Sequence, residues 1–364
     1  MMNMRRLAHT LAAGMLTVSL CACGAASNVM TAAGGASSGA AGAAGQASQK
    51  RRIIIDTDMG ADDASALVIA ASHPDVQIEG VTVIPGNVNL DQAARNALAV
   101  LELANCNAPV YKGSDTAFDG HKKEVNAVFG VDGMGDADLI HPKGTAAEGD
   151  AVDFIINTAK AHPGEVEIVA LGPVTNVAKA IRRDPEAMKQ VAMVWSMGTA
   201  GLGPGNATPV AEFNVYADAP AYQALLDFDV PVTVVGLDAC SGEAEWNDTQ
   251  FEELEQMGEK GEFFTKAFEL VRMEDKRNGH DAMMNCDAVT MMCALQPYFV
   301  NTKRPCSALC VTDDEETYGQ VIFYQQGHGY VVDTSNMTFD ITLVGDVDKE
   351  ECFECFKAAL VELG

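Results

Sequence analysis

Short apolar runs alternate with amphipathic segments along residues 50–240. Arg52–Asp56 is typical of a buried strand, and Asp62–Ser72 repeats apolar side chains at helical spacing. Strands that alternate with helices form a mostly parallel sheet with helices on both faces, so the sequence predicts a Rossmann-like α/β fold. The same alternation predicts strands over 77–84, 110–111, 166–171, 191–197 and 230–237, and helices over 90–105, 150–161, 174–182 and 219–227.

The pattern changes after residue 240. Residues 248–273 carry one long charged helical pattern, and strand-type runs return at 319–324 and 329–332. An amphipathic helix is predicted over 349–362. No internal repeat is present, and the roughly 315 residues that follow the leader and linker are enough for one large domain or two small ones.

The amino terminus has the pattern of an export signal. Arg5 and Arg6 precede an apolar segment, Leu11–Leu20. This segment is too short to span a bilayer comfortably and has the length of a signal-peptide core. Residues 1–23 are therefore predicted to be a leader that directs the chain out of the cytoplasm.

The end of this leader resembles a bacterial lipobox, in the sequence Leu20-Cys21-Ala22-Cys23. The resemblance implies lipidation of Cys23, with an ordinary secretory signal as the alternative. Residues 24–49 are almost all Ala, Gly and Ser, a composition typical of a flexible tether. We therefore expect an extracytoplasmic domain that is lipid-anchored to the bacterial cell membrane.

Composition and charge exclude some partners. The net charge of −27 argues against a nucleic-acid polymer, because phosphate binding requires basic patches. A small neutral substrate remains compatible with this charge. Ten cysteines in 364 residues are too dilute for a disulfide framework. The sequence leaves open a bridge between Cys306 and Cys310, and it also leaves open a homo-oligomer.

The stretch Asp56-Thr57-Asp58-Met59-Gly60-Ala61-Asp62-Asp63 places four carboxylates directly after the first predicted strand. Two such charges about 4 Å apart repel by roughly 4 kcal/mol at an effective dielectric near 20. A fold that crowds them supplies a cation or retains a proton. Oxygen ligands suit Ca²⁺ or Mg²⁺, and ligands of parallel sheets bind at the carboxyl ends of strands. The stretch therefore predicts a metal site.

The acidic stretch is open to two other interpretations. A helix cap with solvated acids would need no metal. A phosphotransfer site of the haloacid-dehalogenase type also begins with an apolar run and Asp-x-Asp. That type requires Thr or Val where this chain has Gly60, which disfavours it.

Five further segments follow the acidic stretch in a fixed order. Together they resemble the inosine-uridine nucleoside hydrolase family over almost the whole folded part of the chain. The resemblance implies the nucleoside hydrolase fold for residues 50–364 and hydrolysis of ribonucleosides to free base and ribose. The segments are Pro85-Gly86-Asn87 with Asn96-Ala97-Leu98, Pro109–Gly113, Asp132–Gly135, Leu171–Asn176 and Asn206–Asn214.

The resemblance implies a metal site for Ca²⁺. Asp58, Asp63 and Asp287 would be its carboxylate ligands, and the backbone carbonyl of Leu171 would complete the set. Asp287 is preferred to Asp281, because the family has a Pro ten residues after this Asp and Pro297 stands there.

The resemblance also implies how the substrate is held and attacked. Asp58 would be the catalytic base that takes a proton from the attacking water. Surrounding carboxylates would stabilise an oxocarbenium-like ribose. The residues that would hold the ribose and the water are Asp62, Asn87, Asn206, Glu212, Asn214 and Asp287.

Two residues depart from the family pattern. Cys286 stands where many members have a His that protonates the leaving base, so it is either a proton donor or a small wall residue. Phe129 stands where many members have another His, and it either stacks on a base or packs internally. His280 and Tyr324 are further possible donors. Base preference stays open, as do two alternative functions: hydrolysis of another riboside, and nucleoside binding without catalysis.

Overall fold

The strands of this protein form one nine-stranded sheet and one two-stranded sheet within the residues that the structure describes. The structure is a computed structural model, and it describes residues 50–121 and 125–363. The predicted leader, Cys23 and the tether lie outside these ranges. The strands are β1 Arg51–Thr57, β2 Val76–Val83, β3 Val110–Lys112, β4 Val166–Ala170, β5 Met193–Met197, β6 Val232–Val235, β7 Trp246–Asn247, β8 Ala282–Met283, β9 Val300–Cys310, β10 Val321–Gln325 and β11 Ile341–Val347.

Helices connect and cover these strands. None of the helices in the described ranges is long and apolar enough to cross a membrane. The helices are α1 Ala61–Ser72, α2 Leu90–Leu103, α3 Ala151–Ala161, α4 Thr175–Arg183, α5 Pro185–Met188, α6 Phe213–Ala217, α7 Ala219–Leu226, α8 Leu237–Cys240, α9 Asp248–Glu255, α10 Glu259–Ala267, α11 Glu269–Arg277, α12 Cys286–Leu295 and α13 Glu351–Glu362.

The order of the large sheet is β10-β9-β11-β6-β5-β4-β1-β2-β3. Every neighbouring pair from β11 to β3 is parallel, whereas β9 pairs antiparallel with both β10 and β11. The predicted mostly parallel α/β fold is therefore confirmed. Because β1 lies between β4 and β2, the residues that follow these three strands emerge side by side at one edge of the sheet.

Strand β1 lies at the centre of the core. Ile53, Ile54 and Ile55 are fully buried, and they alternate between the two faces of the sheet. Ile53 and Ile55 pack with the helices of one face, which include α1, α2, α12 and α13. Ile54 packs with the helices of the other face, which include α3, α4 and α7. Burial on both faces explains why the centre of β1, Ile53–Ile55, is an uninterrupted apolar run.

The predicted single helix over 248–273 is wrong, because this stretch contains the three helices α9, α10 and α11. The first break falls at Gly258, which has a φ of 79° in the left-handed region. Gly261 also lies so close to the carbonyl of Leu254 that a Cβ would approach its oxygen to 1.8 Å. The close approach of α10 to α9 therefore requires a turn, which a charged helical pattern does not reveal.

The carboxyl-terminal strands were only partly predicted. β10 overlaps the predicted 319–324 run and ends one residue beyond it, but residues 329–332 are not a strand. β9 and β11 lie in the segment from residue 300 onward that was predicted to have β character, but their bounds were not predicted; they pair along most of their length. Five of the eleven β9 residues are polar or charged and only two residues, Cys306 and Cys310, are buried, so the strand carries little apolar signal. Cys306 and Cys310 on β9 are free thiols.

Candidate active site

The turn from β1 to α1 is held in a left-handed conformation. Met59 has a φ of 45°, which is uncommon for a residue other than glycine. Its amide donates to Thr57 Oγ1 at 3.1 Å, and its carbonyl accepts from Asn96 Nδ2 at 2.9 Å. These bonds fix the turn, which places Asp58 before it and Asp62 after it on the same side of the sheet edge.

Glycine residues allow neighbouring loops to approach the acidic stretch. A Cβ on Gly86 would lie 2.0 Å from Asp58 Oδ2, and one on Gly60 would lie 2.7 Å from Asn87 Nδ2. The absence of these side-chain atoms lets the backbone N–H of Asn87 donate to Asp58 Oδ2 at 2.7 Å. The loop after β2 therefore orients the predicted catalytic base directly.

A cavity of about 260 Å³ opens at the carboxyl ends of β1, β2, β4 and β5. It lies where a parallel α/β sheet binds its ligands. Every predicted site residue in the described part of the chain lines this cavity, except Asp63, which lies buried beneath it. The predicted residues in the lining are Asp58, Asp62, Asn87, Leu171, Asn206, Glu212, Asn214 and Asp287.

Three carboxylates converge at the base of the cavity. One oxygen from each of Asp62, Asp63 and Asp287 lies within 4.8 Å of the other two. Asp63 is oriented by Thr57 Oγ1, by the Gly60 amide at 2.7 Å and by Asn87 Nδ2 at 3.2 Å. Asp287 reaches the cluster from the first turn of α12. The fold thus brings together acids more than 200 residues apart in the sequence.

Burial and mutual repulsion destabilise the charged forms of these acids. Burial raises the pKa of Asp58 well above its ordinary value, and the charges of Asp63 and Asp62 raise it further. Burial also raises the pKa of Asp62 and of Asp287 well above the ordinary range, and each again has acidic neighbours. A cation at this point would replace protons and relieve the repulsion.

The donor set fits a hard divalent cation. It consists of oxygen atoms alone, and Asp287 Oδ1 is buried without a hydrogen-bond partner among the described residues. The carbonyl of Leu171 accepts one bond from Asn214 Nδ2 at 2.7 Å and keeps a second lone pair for a ligand. The aspartate cluster can therefore hold a metal ion.

The geometry differs in one respect from the ligand set that the resemblance implies. Asp62, which was expected to contact ribose, belongs to the close cluster, whereas Asp58 does not. Asp58 Oδ2 instead accepts a bond from the Asn87 amide. Asp63 and Asp287 belong to both sets.

Glu212 and Asn214 form the opposite wall of the cavity. The Glu212 carboxylate caps α6 by accepting from the amides of Asn214 at 2.8 Å and Val215 at 3.1 Å, and it also accepts from Thr199 N at 3.1 Å. Burial nevertheless raises the pKa of Glu212 to about 7. Asn206 lies at the exposed mouth, where its Oδ1 accepts from the Phe213 amide at 2.9 Å.

The two departures from the family pattern both line the cavity. Cys286 is 7% exposed and directly precedes Asp287. Phe129 is 6% exposed and also packs edge-on against Phe268, with ring centroids 6.1 Å apart. Phe129 therefore combines internal packing with a face toward the cavity.

The other candidates lie elsewhere. Asp281 is exposed, and together with His280 it lines a separate depression rather than the cavity. Tyr324 lies on β10 at the far edge of the sheet, where it packs against Tyr330. Neither His280 nor Tyr324 is therefore placed to protonate a leaving group in this cavity.

Sequence reasoning missed several residues of the site. Val271 and Asp275 on α11 and Met284 after β8 line the cavity without belonging to a recognised motif. An acid on an amphipathic helix looks the same in sequence whether it faces solvent or a cavity. Asn176 was quoted only as part of a motif, yet its Nδ2 donates to Asp56 Oδ1 at 2.8 Å and supports β1 from below the site.

Comparisons with known proteins agree with this geometry. The chain is 38% identical over 191 residues to a probable uridine nucleosidase 2 of Arabidopsis thaliana. The aligned residues make up 52% of this chain and 59% of that protein. It is 37% identical over 191 residues to the pyrimidine-specific ribonucleoside hydrolase RihB of Escherichia coli. These aligned residues make up 52% of this chain and 60% of that protein. The chain thus spans about three-fifths of the length of the curated relatives it matches.

Solved structures match over a longer span. The plant nucleoside hydrolase PpNRh1 superimposes with a TM-score of 0.79 at 29% identity, covering 85% of this chain and 98% of that one. A purine-preferring ribonucleoside hydrolase from Gardnerella vaginalis also superimposes with a TM-score of 0.79, at 26% identity. The match covers 86% of this chain and 99% of that one. The model of the inosine-uridine preferring nucleoside hydrolase family matches residues 53–354. The chain therefore belongs to the inosine-uridine preferring nucleoside hydrolase family.

Proposed function

We propose that this protein hydrolyses the N-glycosidic bond of ribonucleosides and releases the free base and ribose, in nucleoside salvage. The observation that carries the proposal is the aspartate cluster of Asp62, Asp63 and Asp287 beneath a cavity that also exposes Asp58. Family membership supports the same activity, since the matched relatives are named as a uridine nucleosidase and a ribonucleoside hydrolase.

The chemistry needs a base for water and negative charge around the ribose. Asp58 takes the proton of the attacking water, and the Asn87 amide holds its carboxylate in place. Positive charge develops on the ribose as the glycosidic bond breaks, and the neighbouring carboxylates stabilise it. Asp62, Asn87, Asn206, Glu212 and Asn214 are proposed to bind the sugar, together with Asp287.

We further propose that the metal is Ca²⁺, held by Asp58, Asp63, Asp287 and the Leu171 carbonyl, with Asp62 close enough to contribute. The oxygen-only donor set supports this assignment. When bound, Ca²⁺ supplies positive charge that positions a water and lowers its pKa. Activity should therefore be lost with a chelator and restored better by Ca²⁺ than by Mg²⁺; the reverse order would overturn the assignment of the ion.

A ribose-release assay on the purified protein with Ca²⁺ tests the proposed activity. We expect reducing sugar to appear from at least one common nucleoside. The Asp58→Asn variant should lose activity by a factor of about 10²–10⁴, the usual contribution of a general base. Asp281→Asn, which removes an exposed acid outside the cavity, is the matched control.

Three results would contradict parts of this proposal. Undiminished turnover by Asp58→Asn would remove its assigned role. Absence of ribose release from every nucleoside would reject the hydrolase. Calorimetric binding of a nucleoside without any product would instead favour a binding protein.

We also propose that the protein is a lipoprotein anchored through Cys23 outside the cytoplasmic membrane. The basic leader, its short apolar core and the lipobox-like Leu20–Cys23 support this proposal. Cell fractionation tests it: the full-length chain should sediment with membranes, and Cys23→Ser should not. A soluble cytoplasmic wild-type chain would reject the anchor.

A further inference from the structure

The part of the cavity that the proposed metal and ribose contacts leave unused is mainly apolar. Val128, Phe129, Val271 and Met284 contribute to it, together with the thiol-bearing Cys286. Such a wall suits a flat heterocycle. Asp275 is the one carboxylate of this region, and no motif assigns it a role.

Asp275 reaches the cavity from α11. Val271 lies four residues before it, so the two side chains share one face of the helix, and both line the cavity. The Asp275 residue is half-buried, and its carboxylate makes no hydrogen bond or ion pair with any residue that the structure describes. A carboxylate in this state is available to a ligand.

The cations nearest to Asp275 in sequence have other partners. Arg272 and Lys276 both bind Asp248, at 2.8 and 2.7 Å. Burial raises the pKa of Asp275; His280 lowers it, and Glu245 raises it again. The negative charge of Asp275 is therefore incompletely compensated, and a positive group in the cavity would stabilise it.

The charged side chains that line the cavity are all acidic. Among its described lining residues, the charged ones are Asp58, Asp62, Glu212, Asp275 and Asp287, and no Lys, Arg or His is present. A divalent cation at the aspartate cluster would offset two of these charges. The remaining field favours a positively charged substrate over a neutral one.

The leaving group poses a second constraint. A neutral base departs with an electron pair and requires a proton donor for efficient release. The described lining of the cavity contains no His, and Cys286 and Phe129 stand where the family resemblance would place imidazoles. A heterocycle that is already cationic departs as a neutral molecule and needs no proton.

We infer that the preferred substrates are ribosides of a cationic heterocycle, such as pyridinium ribosides, and that Asp275 attracts the positive ring. This inference rests on the proposed glycosidic hydrolysis. Water attacks C1′ and gives one proton to Asp58. The C1′–N bond breaks with both electrons moving to the ring nitrogen, so the products are ribose, a neutral heterocycle and one proton.

Nicotinamide riboside is the probe, with uridine and inosine as neutral comparisons. With Ca²⁺ present, kcat/KM for nicotinamide riboside should exceed that for either neutral nucleoside by at least about tenfold, which corresponds to roughly 1.4 kcal/mol. Faster turnover of uridine or inosine would overturn the inference while leaving the proposed hydrolase intact.

The Asp275→Asn variant tests the residue itself. Positive charge moves from the ring to the ribose as the bond breaks, so Asp275 stabilises bound substrate more than the transition state. We therefore expect KM for nicotinamide riboside to rise about tenfold while kcat stays the same or rises slightly, because the lost interaction mainly stabilises bound substrate. The values for uridine should stay within about twofold, and Asp281→Asn should leave both substrates unchanged.

An equal effect of Asp275→Asn on charged and neutral substrates would overturn the role of Asp275. If no riboside is hydrolysed at all, the proposed function fails. Calorimetry on the Ca²⁺-loaded protein then tests separately whether the cavity prefers a positively charged riboside. The charge preference would still be supported if the protein bound nicotinamide riboside more tightly than uridine and if this difference disappeared in Asp275→Asn but not in Asp281→Asn. Equal affinities would reject it.

Discussion

At the scale of single residues, this site depends on acids that are kept close together at a cost. Asp63 is held by three donors, whereas Asp287 Oδ1 has no partner among the described residues. Glu212 is likewise buried, although three backbone amides bind it. Such groups favour protonation in the folded chain, which makes the stability of the metal-free protein depend on pH.

The raised pKa of Glu212 determines the direction of its contribution to this pH dependence of stability. Its folded-state pKa of about 7 lies above the ordinary 4.5, so the folded chain binds the proton more tightly than the unfolded chain. The resulting stabilisation is fully present below about pH 4.5 and is lost as the pH rises through about 7, a change of roughly 3 kcal/mol. Glu212→Gln cannot titrate and should lack this component.

Urea unfolding of both metal-free proteins across this pH range measures the effect. The free energy of unfolding of the wild type should fall, relative to the variant, as the pH increases. Parallel pH profiles for the two proteins would show that Glu212 does not titrate in this range.

At the scale of elements, the site depends on how β1 is fixed to α12. Asp58 follows the carboxyl end of β1, and Asp287 lies in the first turn of α12. Arg51 at the start of β1 donates to the carbonyls of Ala294 at 2.8 Å and Leu295 at 3.2 Å, which end the same helix. Arginine at a helix carboxyl terminus satisfies carbonyls that have no partner within the helix.

Removing this link should destabilise the fold. Arg51 also forms a two-point ion pair with Glu167 on β4, at 2.8 and 2.7 Å. Arg51→Ala should lower the free energy of unfolding by about 2 kcal/mol, because charge-assisted bonds are lost and Glu167 keeps only the Trp195 Nε1 donor. Chemical denaturation measures the change.

Lys112→Ala is the control for this experiment. It removes an ion pair with Asp91 in which both side chains are largely exposed. Such pairs contribute about 0–1 kcal/mol. If the two substitutions had equal effects, the arginine link would be no more than a surface ion pair.

At the scale of the whole molecule, a chain of net charge −27 places several of its acids around one cavity. Self-repulsion of this kind opposes folding, and a bound cation reduces it. Because the acids that would bind the cation have raised pKa values, protons compete with the metal. Cation binding and the stability of the entire domain are therefore coupled.

Calcium should consequently raise the melting temperature, and more so at pH 8 than at pH 5. A ligand at 100 times its dissociation constant stabilises the folded state by about 2.7 kcal/mol. Thermal unfolding with Ca²⁺ or with a chelator measures the shift at both pH values. Asp63→Asn should reduce it, and Asp281→Asn should not. A shift independent of pH would contradict competition between protons and the metal.

The prediction of individual elements followed the strength of their local pattern. β1 to β6 were placed within two residues at each end, and the buried central strands such as β1, β4 and β6 carry the continuous apolar runs that favour this. β9 was not delimited because five of its eleven residues are polar or charged; β11 is mainly apolar and was nevertheless not delimited. The first break within 248–277 falls at Gly258, a local signal that the charged helical pattern obscured, whereas the close approach of α10 to α9 at Gly261 is a tertiary contact.

By itself, the sequence determined the family, the strand–helix alternation and most residues of the site, because motif spacing and apolar periodicity are local properties of the chain. Only the tertiary structure decided that Asp62 belongs to the carboxylate cluster and that Asp275 lies in the cavity wall. These assignments depend on distances between segments far apart in the chain, which arise only when helices such as α11 and α12 pack against the sheet.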